Sequence, residues 1–325
     1  MDKIVTILFG SNMYGTTTPE SDIDLKSVYI PTGREIVLGT AKETFNTKRP
    51  KGLGEKNYAG EKEEEILSLK QFLKLVSEGQ TVSMDMLFAP KESIIDKSGF
   101  VWFELQINRN KLLSKKSEAF VGYCRQQAKK YGIKGSRVAA VRDTLAFLDH
   151  FPHHLQKLGV AEDILAAYAK DREFVEIVEI PQPSGVMVKH LEVCGRKLPY
   201  TATIKNAIDV LQKLMNEYGT RALMAERNEG VDWKALSHAV RIGQEAIELF
   251  NTGNITFPRP NAGILREIKM GRFDYKEVAE EIEDLFVLVE EAARKSSLPE
   301  EVDQEWIDNF VFGVYSDAVR YYRKG

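Results

Sequence analysis

Two aspartates, Asp22 and Asp24 in the run Ser21-Asp22-Ile23-Asp24-Leu25, follow closely on Gly10-Ser11-Asn12-Met13-Tyr14-Gly15. Residues two apart on a strand point to one face, so the two carboxylates converge while Ile23 and Leu25 turn to the other side. Paired carboxylates suit hard divalent cations, which also draw on substrate phosphates and water. Two Mg²⁺ ions, or Mn²⁺ in their place, would stabilise the attacking and leaving oxygens of an in-line displacement at phosphorus. A Gly-Ser turn that opens a helical turn leaves backbone N–H groups and a hydroxyl free for phosphate oxygens. Gly10 and Ser11 are therefore candidate nucleotide-binding residues, and Asp22 and Asp24 candidate metal-binding and catalytic residues. Either part alone is common decoration of turns and strand ends. The order of strand, Gly-Ser, short helix, Ser-Asp-x-Asp-Leu and apolar strand is far more specific.

The elements that must position these residues are legible. Ile4 to Phe9 is a near-continuous β-branched and aromatic run that ends at Gly10, as a buried strand does. Met13 to Thr18 allows one or two helical turns before Pro19 stops them. Ile23 to Ile30 predicts a second strand, closed by Pro31-Thr32-Gly33. Residues 40–60 are polar and glycine-rich and read as a loop. Ile66, Leu69, Phe72, Leu73 and Val76 recur at helical spacing and predict an amphipathic helix starting at Ile66. Beyond residue 96 the pattern is mostly helical, with candidates at 120–131, 138–151, 204–218, 233–250 and 275–293. Short β-branched runs around Pro181-Gln182-Pro183-Ser184-Gly185 interrupt it. The expected class is α+β: a small mixed-sheet core over 1–95, then a larger helical region over 96–325 with a β insertion near 174–200.

Composition excludes several classes. The 325 residues are 43% hydrophobic and 29% charged, as in an ordinary globular protein. No run approaches the ~20 apolar residues of a membrane span, and the early apolar stretch is too short for a secretory leader. Cys124 and Cys194 stand alone and form neither a zinc pattern nor a disulfide framework, so a reducing cytoplasm is the expected compartment. No G-x-x-x-x-G-K-[ST] loop or G-x-S-x-G element occurs.

With these residues in view, G-S-x-x-Y-G followed by S-D-I-D-L resembles the signature of the DNA polymerase beta nucleotidyltransferase superfamily. More narrowly, the chain resembles a group of largely uncharacterised bacterial and phage predicted nucleotidyltransferases. That narrower resemblance includes Ser68-Leu69-Lys70-Gln71-Phe72-Leu73, Tyr218-Gly219-Thr220-Arg221-Ala222 and Asp232 to Arg241. It implies a nucleotidyltransferase core over 1–95 and transfer of an NMP from an NTP to an acceptor hydroxyl. It also implies a third carboxylate on a neighbouring strand. The place for it is Glu61-Lys62-Glu63-Glu64-Glu65; Glu63 and Glu65 would share a face, and Glu65 is the first choice for a catalytic and metal-binding role. Lys234, His238 and Arg241 fall at i, i+4 and i+7, on one face of a helix, which makes them candidate triphosphate ligands. Gly195-Arg196-Lys197 is a weaker candidate.

The acceptor is the least legible part. Net charge is −3, but residues 109–142 hold ten cations against the single acid Glu118. Such a surplus creates a local positive field that the total hides. Arg125, Lys129, Lys130 and Arg137 are the candidate nucleic-acid contacts, with Tyr123 and Tyr131 interleaved for base stacking. An RNA end or another polynucleotide is thus the expected acceptor. The alternatives are a nucleic-acid-binding module with an inactive site, and a nucleotidyltransferase acting on a protein or small molecule. No membrane partner is expected, and the sequence does not fix an oligomeric state.

Overall fold

A computed structural model describes residues 2–47, 60–97, 99–115, 118–131, 135–170, 172, 174–181, 186–227 and 231–322. In chain order the elements begin with β1 (Asp2–Leu8), α1 (Gly10–Tyr14), β2 (Ile23–Ile30), α2 (Gly33–Leu38), β3 (Thr44–Asn46) and β4 (Lys62–Ser68). There follow α3 (Leu69–Ser77), α4 (Thr81–Leu87), β5 (Ile94–Lys97), α5 (Val101–Ile107), α6 (Glu118–Tyr131), α7 (Gly135–Asp149) and α8 (Glu162–Ala169). The chain continues through β6 (Val175–Pro181), β7 (Met187–Val193), β8 (Arg196–Pro199), α9 (Ile204–Arg227), α10 (Trp233–Thr252), α11 (Ala262–Lys269), α12 (Tyr275–Lys295) and α13 (Gln304–Tyr322). The class is α+β, with a mixed sheet at the N-terminus followed by a helical region. No helix among the described residues is long and apolar enough to cross a membrane.

These elements form two compact units. The first gathers Met1–Arg125, Trp233–Arg272 and Asp284–Gly325. Its five-stranded sheet has the order β3-β4-β2-β1-β5. The β2–β4 pair is parallel, and the other three pairs are antiparallel. Burial of Ile4, Ile7, Phe72, Trp102, Leu249, Phe250, Ile307 and Phe310 in one cluster makes the core, so helices distant in sequence complete it. The second unit gathers Gln126–Asp232 and Phe273–Glu283. There the antiparallel sheet β6-β7-β8 and the helices α7 and α9 share a separate core that includes Val141, Leu165, Leu191 and Leu211.

Two local expectations need adjustment. Ile66 does not start a helix: residues 62–68 form β4, with Ile66 paired to Ser27 and Phe45, and the helix begins at Leu69. The Ser68 hydroxyl explains the switch, because it accepts a hydrogen bond from the Gln71 N–H at 3.2 Å and caps the helix. Within the region read as a loop, Thr44–Asn46 pairs as an edge strand, because Phe45 packs at 5.4 Å on the ring of Tyr29. The rest of that reading, from 48 to 59, lies outside the described residues.

Candidate active site

The site grows from the end of β1. Phe9 donates its N–H to the Asp24 carbonyl at 2.8 Å, which ties the start of α1 to β2. Gly10 then takes φ +61°, a conformation that side chains resist. A Cβ on Gly10 would stand 2.2 Å from Asp24 Oδ2, so the missing side chain is what lets the carboxylate lie over the turn. Ser11 follows, half-buried, in the first turn of α1. At the other end of the loop the Ser21 hydroxyl accepts a hydrogen bond from Thr18 N–H at 2.9 Å, and Ile23 N–H donates to the Glu61 carbonyl at 2.8 Å. These bonds hold Asp22 at the entry to β2.

The parallel register of β2 and β4 decides which glutamate joins the aspartates. Asp24 stands opposite Glu63, and Lys26 opposite Glu65. Glu63 is buried at 9% exposure and adds its charge to that felt by Asp24. Glu65, the first choice from sequence, forms an ion pair with Lys26 at 2.5 Å. Glu64 points to the other face, where Lys3 at 2.6 Å and the Ser27 hydroxyl at 2.5 Å hold it. The geometry thus favours Glu63 over Glu65 as the companion of Asp24. Burial raises the Asp24 carboxyl above its ordinary range; Asp22 and Glu63 add to the rise, while Lys26 and Lys234 oppose it. Among the described residues no group of three or more His, Cys, Asp or Glu side chains is arranged to hold a metal ion. The carboxylates make an open edge instead.

Two lysines from distant sequence face this edge. Lys234, exposed in the first turn of α10, lies near enough to act on Asp24. Lys269, the last residue of α11, donates to the Thr16 carbonyl at 3.3 Å and feels the charges of Asp22, Asp24 and Glu20. Burial and then the positive charge of Lys234 lower its pKa. Sequence reading found Lys234 and missed Lys269. The signal was faint: α11 is eight residues long, and its helical stripe of Leu265 and Ile268 ends at a lysine with no motif around it.

The other two members of the helical stripe sit differently. Arg241 is 4% exposed and turned inward, with its Nη1 donating to Asp85 Oδ2 at 3.0 Å and to Glu245 at 2.7 Å. His238 accepts a hydrogen bond at Nδ1 from Arg241 Nη2 at 2.9 Å, and its ring meets that of Tyr123 edge-on at 5.4 Å. Burial, then Arg241 and Lys234, drive the His238 pKa down to about 3, so the ring is neutral. Of the three residues expected to reach a triphosphate, the structure brings only Lys234 to the carboxylates. Arg196 pairs with Glu217 at 2.8 Å in the second unit.

Among the described residues, several cations of the basic run of 109–142 are paired with acids rather than left open. Lys111 pairs with Asp303 at 3.0 Å, Lys115 with Glu300 at 2.6 Å and Arg125 with Glu290 at 2.8 Å. Arg137 corrects the expectation most directly. It is 4% exposed, within 2.6 Å of Glu283 and over the Phe174 ring at 4.5 Å, so it contributes to a core. Glu283, Glu290, Glu300 and Asp303, all far along the chain, supply these partners. Lys129 and Lys130 belong to α6 by backbone, and their side chains lie outside the described residues, as does Lys134. A cavity of 980 Å³ lies elsewhere, lined by α2, α3 and α13 residues such as Ile36, Lys70, Phe312 and Tyr315; its lining includes none of Asp22, Asp24 or Glu63.

Residues 4–148 match the family model RlaP, described as the RNA repair pathway DNA polymerase beta family. The chain is also 37% identical over 339 residues to an uncharacterized 38.9 kDa protein of the nrdC-mobD intergenic region of Enterobacteria phage T4, with 100% of both chains covered. No solved structure matches it.

Proposed function

Because the chain belongs to the RNA repair pathway DNA polymerase beta family, a nucleotidyltransferase-type family, we propose that it transfers a nucleoside monophosphate from an NTP to an acceptor hydroxyl at Asp22 and Asp24. One observation carries this reading. Asp22, at the entry to β2, lies near enough to act on Asp24, a glycine turn admits Asp24 against it, Glu63 stands in register, and Lys234 and Lys269 carry their charge to the same carboxylates.

The donors fit a hard divalent ion such as Mg²⁺, which binds through one or two carboxylates and keeps its other positions for water and substrate phosphates. Like charges crowd Asp24 in the protein alone, and a cation held by Asp22 and Asp24 would relieve them. When bound, such an ion neutralises phosphate charge and favours in-line displacement. The protein's own groups do the rest. Lys234 and Lys269 offset the triphosphate charge, and the Ser11 hydroxyl and the Gly10 turn hold its oxygens. The acceptor oxygen bonds to the α-phosphorus as the bond to the bridging oxygen breaks and pyrophosphate leaves. Glu63 takes the acceptor proton.

The acceptor in this reading is an RNA end. Its support is the family's link to RNA repair; the paired cations of 109–142 lend it none. The test incubates the protein with each labelled NTP and with total RNA, DNA or cell protein, with and without Mg²⁺. Labelled RNA that vanishes with Asp22→Ala or Asp24→Ala supports the proposal. Labelled protein instead would redirect it to a protein acceptor, and no metal-dependent label in any fraction would overturn it.

A further inference from the structure

Behind the Gly10 turn lies a buried ionic cluster that the proposed reaction does not consume. Asp85 and Glu245 are fully buried, and Arg241 and Arg259 nearly so. The Arg259 guanidinium donates to Glu248 at 2.5 Å and stands 3.9 Å from Glu245. Three carboxylates thus surround two guanidiniums. Such clusters are poor stabilisers, since well-packed apolar residues of equal volume often serve as well or better. A role beyond stability is therefore the more informative reading.

The contacts point to that role, because three of them meet at Tyr14, the last residue of α1. Its hydroxyl donates to Asp85 Oδ2 at 2.8 Å. The Arg241 guanidinium lies 3.7 Å from its ring centroid. Its carbonyl accepts the Arg259 N–H at 3.2 Å. Gly15, at φ +78°, then lets Pro258 and Ala262 close in, where a Cβ would meet each at 3.0 Å. The far end of α1 is Gly10 and Ser11. The helix is one turn long, so whatever fixes Tyr14 fixes them. Arg241 also lies two turns along α10 from Lys234.

We propose that Arg241 is a positioning residue for the nucleotide: by holding Tyr14 it sets the Gly10–Ser11 turn against Asp24, and by its place on α10 it sets Lys234 on the opposite side of the same phosphates. This rests on the reading of that turn as the nucleotide's seat. It also gives a reason for tyrosine, rather than any aromatic residue, in the Gly-Ser-x-x-Tyr-Gly run.

The experiment compares Tyr14→Phe and Arg241→Lys with Ile242→Val, a buried change on the same helix. Tyr14→Phe keeps the ring under the guanidinium and removes one hydrogen bond; Arg241→Lys keeps the charge and loses the fork. The readouts are NTP affinity, KM for NTP and for acceptor, kcat, and hydrogen exchange of the amides of residues 10–16. The expected result is a rise of roughly ten- to a hundredfold in KM for NTP in the two network variants, since small misplacements of binding groups have costs of that order. Acceptor KM and saturated kcat should stay within about twofold of the wild type, and Ile242→Val should leave all three unchanged. Faster exchange at residues 10–16 should accompany the rise. Exchange is read without nucleotide, so it separates the two ideas. A wild type that binds no NTP overturns the nucleotidyltransferase reading. Unchanged exchange in both network variants, or an equal rise in KM for Ile242→Val, overturns the positioning role.

Discussion

Gly10 and Asp24 occupy one another's space: the carboxylate of the second fills the volume where a side chain on the first would stand, 2.2 Å from Asp24 Oδ2. Gly10→Ala therefore has two costs, the displacement of Asp24 and a residue forced to φ +61°. The backbone term alone is about 1–3 kcal/mol. The expected outcome is a folded protein with a lowered melting temperature and no NMP transfer, checked by thermal denaturation alongside the labelling assay.

Asp24→Asn should separate stability from activity. A carboxyl whose folded pKa is raised binds its proton more tightly in the folded state, so its ionisation removes stability as pH rises through that value. Burial and Asp22 raise Asp24 in this way. At pH 7 without divalent cations, Asp24→Asn should melt higher than the wild type. Loss of a charge-stabilising ion is worth several kcal/mol, so turnover should fall by roughly 10³-fold or more. Mg²⁺ should raise the melting temperature of the wild type and leave that of the variant unmoved.

The lysines predict a binding effect. Lys234→Ala and Lys269→Ala should each weaken NTP binding roughly tenfold, about 1.4 kcal/mol, as measured by calorimetric titration. Ionic strength should weaken the wild type more than either variant, because fewer charge contacts remain to be screened.

His238 carries a pH signature. Its folded pKa, about 3, lies below the ordinary histidine value, so the unfolded chain takes up a proton that the folded chain refuses. Stability is full above the ordinary value near 6.5 and falls as pH drops toward 3, by at most about 1.4 kcal/mol per unit. His238→Gln, which keeps an acceptor for Arg241, should flatten the loss of melting temperature between pH 6 and pH 4. An unchanged slope would mean that other groups govern acid unfolding.

The ion pairs of the basic run differ in worth. Arg137→Ala breaks a buried ion pair with Glu283 and should cost about 3–5 kcal/mol. Arg125→Ala, on an exposed pair, should cost about 1 kcal/mol or less. Urea denaturation of both variants checks the contrast.

Much of the site was legible because it is local. Ile23–Ile30 is a strand as expected, with Asp24 on it and Asp22 at its entry, near enough to act on Asp24. That Glu63 rather than Glu65 stands opposite Asp24 was not legible, because it depends on the register between β2 and β4, which a two-residue shift would reverse. Lys269 escaped notice for a similar reason: it reaches the carboxylates only through the packing of α11 on α10. Arg241 shows the opposite failure. Helical spacing placed it correctly on a face with Lys234 and His238, yet spacing is blind to the Asp85 and Glu245 carboxylates that capture it. Lys111, Lys115 and Arg125 mislead in the same manner, since their partners at Asp303, Glu300 and Glu290 lie more than 160 residues away.

The first unit draws on the two ends of the chain, and this sets the order in which the protein can mature on the ribosome. Its sheet emerges early, but Phe250, Ile307 and Phe310, which help cover its core, are synthesised well after it. The second unit has its core within residues 141–218 and can close while translation continues. The usual rule, in which the N-terminal part folds first, is thus inverted. A nascent chain halted before α13 should hold a protease-resistant second unit and a first unit that is still cut. The sheet strands then need shelter in the interval, and a chaperone that holds nascent β-strands should raise the yield of the whole protein.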